Sequence, residues 1–343
     1  RRTSRDAPGI SGNASVSSDR RDRLMIPARR NRARRRGLRV ALFGAVVTLA
    51  AAELVARFGL GLGDPPLFQK DDAIEYILKP GTYHRFGHTI HINRWSQRSP
   101  EIDAKKTDPN ELRVLVIGDS VVIGGALLDD EQIAAWLLER SLREQLARPV
   151  RVLSVAAGSW GPQNQLAYLH KFGTFDADIA VVVWSSHDAW DVPRFDELRA
   201  DQPQRRPLLA SGELVVRYAL PRLRRGTPPP AVTTADLDAA CGSASALLTF
   251  LKERGIPTGV VMHSTRGELL DTPDPRQPLT SGRERLWNVI TDAGTTPTDT
   301  AAAFRPRIAS GEALFQDDIH PNAEGQRVLA DVLRQAVQSV LGD

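Results

Sequence analysis

Apolar runs and amphipathic stretches alternate along the C-terminal two thirds of the chain. Three runs rich in β-branched residues, Leu112–Ile117, Val150–Val155 and Ile179–Trp184, have the length and continuous hydrophobicity of strands buried on both faces. Thr258–Met262 repeats this pattern, and Thr298–Phe304 repeats it more weakly. The pattern therefore predicts five strands inside a core.

The segments between these runs show helical spacing of their apolar positions. The predicted helices are Asp130–Leu146, Gln163–Phe172, Thr234–Arg254, Arg283–Ala293 and Asn322–Leu341. Buried strands that alternate with helices predict a parallel sheet with helices on both faces. We therefore expect an α/β fold over residues 111–343, with a five-stranded parallel sheet at the centre of a three-layer α/β/α domain.

Two segments depart from this alternation. Residues 63–110 are rich in Gly, Pro and His and contain short β-like pieces such as Thr89–Asn93, which predicts a connector with a small β element. Residues 193–232 are rich in Pro and Arg and include Pro228–Pro230. A loop of this length inside a compact domain is typically functional or disordered, so we interpret it as an insertion or flap.

The N-terminal part carries a basic run followed by an apolar one. Residues 38–62 are long enough to span a bilayer as a helix, and Glu53 and Arg57 are spaced to pair on one helical face. We expect a transmembrane anchor here, preceded by a basic, disordered cytoplasmic tail at residues 1–37. The apolar run Val40–Ala52 also has the length of a signal-peptide core, and a buried soluble helix is a third interpretation.

Arginine before an apolar helix stays on the cytoplasmic side of a membrane. The remainder of the chain is therefore expected to be periplasmic or extracellular, membrane-anchored if the helix is kept and secreted if it is cleaved.

Composition and charge narrow the classes of protein. The chain is 41% hydrophobic and 25% charged, as in a soluble globular protein. Its net charge of +4 is uneven: residues 1–39 hold 13 Arg and 3 Asp, whereas the other 304 residues hold 32 basic and 38 acidic side chains. This mildly acidic remainder gives no support for nucleic-acid binding.

The residue types that hold metals are sparse. One cysteine, Cys241, excludes both an internal disulfide and a cysteine-based zinc site. His84, His88 and His91 are close in sequence, but on a strand His88 and His91 point to opposite faces. We expect neither a metal site nor a cofactor.

The end of the first predicted strand carries a candidate nucleophile. Gly118, Asp119 and Ser120 follow the strand directly, and Gly124 lies close behind. A sharp turn from strand to helix at the carboxyl edge of a parallel sheet exposes a serine hydroxyl well. The alternative is that these three residue types are simply good turn formers.

A candidate base precedes the last predicted helix. His320 is the only histidine with an aspartate, Asp317, three positions earlier. Pro321 suits the first turn of a helix, which would place His320 at the helix N-terminus. One turn then brings the carboxylate to Nδ1 of the imidazole and leaves Nε2 free to accept a proton from a serine. The alternative is an ordinary surface Asp beside a capping His.

These motifs, in this order and at opposite ends of an α/β unit, resemble the SGNH (GDSL-like) hydrolase family over residues 112–341. Its members are esterases, lipases, acetylhydrolases and some acyltransferases with a flavodoxin-like fold. The resemblance implies that Ser120 is the nucleophile, His320 the base and Asp317 the residue that orients it. The family's second block resembles residues 154–161, which implies an oxyanion donor at the backbone N–H of Gly158 or Ser159.

The third block departs from the family pattern. The family has Gly-x-Asn-Asp after the third strand, whereas this chain has Ser185, Ser186, His187 and Asp188. His187 thus stands where the family has its oxyanion-hole Asn. A neutral imidazole N–H can donate a hydrogen bond as an amide does, so His187 could join the N–H groups of Ser120 and Gly158. The alternative is a His that only packs there, in a weakened or inactive site.

The resemblance implies a serine esterase that hydrolyses acyl esters, and the predicted export favours O-acetyl groups of an envelope or secreted polysaccharide. Trp160 and Trp190 flank the second and third blocks, where they would stack on a sugar or pack under the loops. Two alternatives stay open: an O-acyltransferase acting on a sugar hydroxyl, and a catalytically silent carbohydrate-binding envelope protein. The expected partners are an acylated carbohydrate or other ester and the membrane.

Overall fold

The computed structural model describes residues 26–220, 233–272 and 279–342. The chain divides into two units, Arg1–Leu54 and Val55–Asp343. In the first unit, Ile26–Leu54 forms helix α1. The stretch Arg34–Gly59, which runs on into a π-helical turn at the start of the second unit, has a mean hydropathy of 1.9 and is long and apolar enough to cross a membrane or to act as a signal sequence.

Two short antiparallel hairpins open the second unit. The strands of the first are β1 (Phe68–Asp71) and β2 (Glu75–Leu78), and those of the second are β3 (Gly81–Arg85) and β4 (His88–Ile92). Both hairpins lie within residues 63–110.

A five-stranded parallel sheet follows, in the order β6-β5-β7-β8-β9. Its strands are β5 (Leu112–Gly118), β6 (Val150–Ala156), β7 (Ile179–Ser185), β8 (Thr258–His263) and β9 (Thr298–Asp299). Every neighbouring pair is parallel, so the predicted α/β fold with a five-stranded parallel sheet is confirmed.

Helices connect these strands and cover both faces. They are α2 (Ser120–Ile123), α3 (Ala134–Leu146), α4 (Pro162–Phe172), α5 (Ala210–Glu213), α6 (Thr234–Glu253), α7 (Arg266–Leu269), α8 (Leu279–Asp292), α9 (Ala301–Ala309) and α10 (Ala323–Leu341). Side chains alternate along β5, so Leu115 and Ile117 enter the core beneath α4, α6 and α8, whereas Val114 and Val116 enter the core beneath α3 and α10.

The last predicted strand is wrong beyond its first two residues. Only Thr298 and Asp299 pair with β8, and α9 begins at Ala301. The Asp299 carboxylate accepts the N–H of Ala301 at 2.8 Å, and the Thr300 hydroxyl accepts the N–H of Ser264 at 2.9 Å. These bonds turn the chain, and the run of alanines that follows favours a helix over a strand.

The segments outside the α/β alternation pack against each other and against the sheet domain. Tyr76 and Ile77 of β2 join the core beneath α4. The insertion after β7 lies on this connector: the N–H of Phe68 donates to the carbonyl of Pro203 at 2.8 Å, and Arg85 pairs with Glu213 at 2.7 Å. The proline run at residues 228–230 lies outside the described residues.

Arg98 ties the connector to the loop behind the predicted nucleophile. Its side chain is fully buried, and Nε donates to Asp130 at 2.7 Å. The other nitrogens donate to the carbonyls of Ile123, Gly125 and Leu128 at 2.6 to 2.9 Å. One guanidinium thus satisfies three carbonyls and one carboxylate, and so fixes the path of residues 123–130.

We predict that Arg98→Ala lowers the free energy of unfolding by about 3–5 kcal/mol, because it leaves a buried carboxylate and three carbonyls without their donor. Arg94→Ala is the matched control, since its pair with Asp103 has side chains 53% and 68% exposed. We expect the control to cost less than about 1 kcal/mol. Denaturant titration of both variants measures the difference, and equal losses would contradict the role given to Arg98.

Candidate active site

Ser120 lies at the carboxyl edge of the sheet, where β5 turns sharply into α2. Asp119 caps this short helix by accepting the N–H of Val121 at 2.8 Å. Gly118 is required at the turn, because a Cβ there would lie 2.5 Å from a methyl of Val122. The close approach of strand and helix presents the Ser120 hydroxyl at the edge of the sheet.

His320 and Asp317 share a tight turn before α10. One carboxylate oxygen of Asp317 accepts the backbone N–H groups of Ile319 and His320 at 2.9 and 2.8 Å, and the other lies 2.7 Å from Nδ1 of His320. Burial raises the pKa of Asp317, but these hydrogen bonds outweigh it and hold the pKa below its ordinary value. An ionised Asp317 therefore keeps the proton of a neutral imidazole on Nδ1.

The structure brings all three predicted triad residues together. Nε2 of His320 lies 2.9 Å from Oγ of Ser120. The chain of contacts from hydroxyl to imidazole to carboxylate has the geometry that activates a serine nucleophile. The side chains of His320 and Asp317 are 31% and 56% exposed, so the site is open to solvent.

The base and the nucleophile are also joined behind the site. Asn322 caps α10 by accepting the N–H groups of Glu324 and Gly325, so Pro321 lies before the helix and not in its first turn, contrary to the prediction. Gln326 of the first turn accepts the N–H of Ala134 at 2.8 Å and donates to the carbonyl of Val121 at 3.3 Å. The helix after His320 is thereby attached to the helix that begins at Ser120.

The second predicted block is held from below by the connector. The hydroxyl of Tyr76 donates to the carbonyl of Gly158 at 2.5 Å, and the indole N–H of Trp160 donates to the carbonyl of Tyr76 at 3.1 Å. Trp160 is only 1% exposed. The predicted stacking of Trp160 on a sugar is therefore wrong, because both faces of its ring are covered by the core.

Gly158 and Ser159 both remain candidates for the backbone donor of this block. A Cβ at Gly158 would meet no heavy atom within 4 Å, so the space beside it is open in the described part of the chain. Ser159 is exposed and adopts a left-handed backbone with a φ of 58°. The turn is thus shaped so that a ligand can approach the backbone closely.

The third block forms a 3₁₀ turn, residues 186–189, after β7. Ser185 donates its N–H and hydroxyl to the Asp188 carboxylate at 2.7 and 3.0 Å, and its hydroxyl accepts the N–H of His187 at 3.3 Å. The His187 ring is half-buried, and its Nδ1 is buried without a partner among the described residues. Burial raises the pKa of Asp119 at the start of α2, and positive charge on His320 or His187 would lower it.

A buried polar network that the sequence did not reveal lies under these turns. Gln165 accepts the indole N–H of Trp184 at 2.9 Å and lies 3.4 Å from the carbonyl of Trp160 and 3.5 Å from Asp188. Burial, with the nearby charge of Asp119, raises the pKa of Asp188 well above its ordinary value. The sequence did not point to Gln165, because a glutamine in the middle of a helix is usually exposed to solvent.

Trp190 follows the third turn and is half-buried. It packs against α8, where a Cβ added at Gly282 would lie 2.8 Å from its indole nitrogen. The residue is partly exposed, and its contact with a sugar stays a prediction. His84, His88 and His91 lie on the second hairpin, and within the described ranges no group of three or more His, Cys, Asp or Glu could hold a metal ion.

His263, at the end of β8, supports the turn that carries His320. It is fully buried, and its Nε2 donates to the carbonyl of Ile319 at 2.9 Å. The ring packs edge-on against Phe304 at 6.0 Å between centroids. Burial lowers the pKa of His263 to about 4, so the imidazole is neutral at pH 7.

Comparison with known proteins returns similar solved structures only. No family model matches the chain, and no curated protein matches it. The similar structures include an acetyl xylan esterase (15% identity, covering 66% of this chain and all of that one, TM-score 0.47) and an acetylxylan esterase from Geobacillus stearothermophilus (16%, 66% and 94%, TM-score 0.43). A lipase/acylhydrolase from Enterococcus faecalis is similar at 13% identity, covering 66% of this chain and 95% of that one, with a TM-score of 0.43. With identities and TM-scores this low, the function is inferred from the side-chain geometry.

We predict that His263 makes the protein less stable in acid. Its pKa is about 4 in the folded state and 6.5 when unfolded, so between these values the unfolded chain binds a proton that the folded chain does not. Its contribution to stability is therefore complete above about pH 6.5 and is lost as the pH falls towards 4.

His263→Gln keeps a donor but does not titrate. The thermal midpoints of wild type and variant should therefore converge as the pH is lowered from 7 to 4. All other acid-sensitive groups are common to both proteins, so parallel pH profiles would contradict the assignment.

Proposed function

We propose that this protein is a serine ester hydrolase of the SGNH (GDSL-like) kind. The observation that carries the proposal is the contact of Ser120 with His320 at 2.9 Å and of His320 with Asp317 at 2.7 Å, at the carboxyl edge of a parallel sheet. Ser120 and His320 are 200 positions apart, so their contact is not a result of local chain geometry.

The reaction proceeds through an acyl enzyme. Nε2 of His320 takes the proton of the Ser120 hydroxyl as Oγ bonds to the ester carbonyl carbon, and the imidazolium then returns the proton to the departing alcohol. A water molecule next gives a proton to His320 and attacks the acyl carbon, which releases the carboxylic acid and restores the Ser120 hydroxyl. Asp317 keeps its charge and stabilises the imidazolium in both halves.

The oxyanion is stabilised by groups of all three turns. The proposed donors are the backbone N–H of Ser120, the N–H of Gly158 or Ser159, and the imidazole of His187. The unpartnered, buried Nδ1 of His187 supports this role, because a buried polar atom without a protein partner is costly unless a ligand satisfies it. A donor held in place before the reaction also needs no reorganisation as charge develops.

The proposed substrate is an acyl ester, with O-acetyl as the proposed acyl group, carried on an envelope or secreted polysaccharide.

 The triad is open to solvent, with His320 and Asp317 side chains 31% and 56% exposed, which gives a polymer chain room to lie across it. The half-buried ring of Trp190 is the proposed sugar contact. The arginine-rich run before the apolar helix supports a catalytic unit outside the cytoplasm, anchored to the membrane or released by cleavage.

Substitution of the triad tests the reaction. We predict that Ser120→Ala and His320→Ala each lower kcat/KM for p-nitrophenyl acetate by several orders of magnitude, with little further loss in the double variant, because the members of a triad act as a unit. Asp317→Asn should cost less than either. His170→Ala on α4 is a matched control and should keep wild-type turnover. A serine-directed phosphonate should label wild type but not Ser120→Ala, and turnover that persists in Ser120→Ala would refute the mechanism.

A separate pair of variants tests His187. If its imidazole donates to the oxyanion, His187→Ala should lower kcat by about 100- to 1000-fold with little change in KM. His187→Asn should recover much of this loss, because an amide N–H restores the donor. A packing role predicts instead a lower thermal midpoint with kcat of the folded protein near wild type. Sugar binding without any ester turnover in wild type would favour the silent binding protein.

A further inference from the structure

The insertion after β7 carries an apolar surface that faces outward. Leu208 and Leu209 are 95% and 57% exposed, and Leu214, Val215 and Val216 on the helical turns that follow are 38%, 50% and 57% exposed. We call these five residues the outer face. A contiguous apolar surface of this kind marks an interaction site on a folded protein.

The inner side of the same segment is charged. Glu213 pairs with Arg85 at 2.7 Å, with both side chains at most 5% exposed, and it also accepts the N–H of Gly63 at 2.8 Å. Burial raises the pKa of Glu213, but the bonds from Arg85 and Gly63 outweigh it, and the pKa lies below its ordinary value. A helix in water buries its apolar side and exposes its charges. In this segment a charged pair is buried while the five apolar residues of the outer face are exposed, as expected beside a nonpolar medium.

The outer face lies next to the end of the apolar N-terminal span, which indicates that the nonpolar medium is a lipid bilayer. Ala210, at the start of the helical segment, forms one buried cluster with Ala56 and Leu62. Ala56 belongs to the end of the apolar span Arg34–Gly59, and Leu62 lies three residues beyond that end. The outer face is therefore built on the stretch of chain that leaves the span, and Phe58 in that stretch is itself 78% exposed.

Basic groups border the outer face. Arg205 and Arg217 line a cleft of about 350 Å³ together with Leu208, Leu209 and Val216. Arg205 is exposed, and the side chain of Arg206 is 58% exposed and pairs with Asp64 at 2.6 Å. Apolar side chains rimmed by arginine match the acyl boundary and the anionic headgroups of a bilayer surface.

We propose that the outer face inserts into the surface of the bilayer that the N-terminal helix enters. One anchor alone would leave the catalytic unit free to swing on its tether, whereas a second contact holds it against the membrane. The insertion leaves the sheet at the carboxyl end of β7, the edge that carries Ser120. Docking of the outer face thus sets the orientation of the active-site edge relative to the membrane.

Spin-label accessibility tests this contact in the full chain, reconstituted in vesicles of zwitterionic and anionic phospholipid. Single cysteines replace Leu208, Val215 or Val216 in a Cys241→Ser background, and each carries a nitroxide. Leu127, 48% exposed on the loop behind α2, is the matched control for an exposed apolar position. We expect the ratio of collisions with oxygen to collisions with a polar nickel chelate to be several-fold higher at the three outer-face positions than at Leu127.

The other outcomes overturn the proposal. Labels as accessible to nickel as the label at Leu127 would mean that the outer face stays in water. Exclusion of both reagents, with spin–spin broadening that disappears on dilution with unlabelled protein, would mean that a second copy covers it. Exclusion of oxygen and the nickel chelate without spin–spin broadening would mean that another segment of the same chain covers the outer face. The proposal rests on the membrane anchoring proposed above, but none of these readouts depends on ester turnover, so its failure and a failure of the proposed esterase activity are distinguishable.

Discussion

The parallel pairing of five strands is the constraint on which the site depends. Because all the strands run in one direction, their carboxyl ends meet at one edge, and the turns after β5, β6 and β7 are neighbours there although up to about seventy residues separate them. The contact between Ser120 and His320, 200 positions apart, exists only because the last helix returns to this same edge. A change in strand order would disperse the turns without altering any motif.

Buried polar side chains convert this proximity into defined distances. Gln326 joins the two helices behind the nucleophile and the base, His263 holds the carbonyl before His320, and Tyr76 holds the turn at Gly158. Each of these side chains bonds to backbone groups. Loss of one of them would leave a buried backbone group unpaired and lower the stability of the fold. The open face of the site is thus supported from beneath by buried hydrogen bonds.

Two buried ion pairs show how the segments outside the sheet are used. Arg98 binds Asp130 and three carbonyls, and so holds the loop behind Ser120 in one path. Arg85 and Glu213 join the second hairpin to the insertion, beneath an apolar outer surface. Buried pairs of this kind are weak sources of net stability, but an unpaired partner is strongly disfavoured, so they select one arrangement of loops that contain little regular structure.

The residue pattern predicted the sheet domain and the apolar N-terminal helix, and together with the family resemblance it pointed to Ser120, His320 and Asp317. Continuous runs of β-branched residues that alternate with helical segments predict buried strands. Asp317 and His320 are linked by their separation of three positions. Tertiary structure decided the rest. Trp160 is covered by Tyr76 of the connector, Thr298–Phe304 turns into a helix because Asp299 and Thr300 bond to nearby N–H groups, and Gln165, His263 and Arg98 act on distant partners. Such contacts depend on which surfaces the fold brings together, and periodicity along a chain carries no information about them.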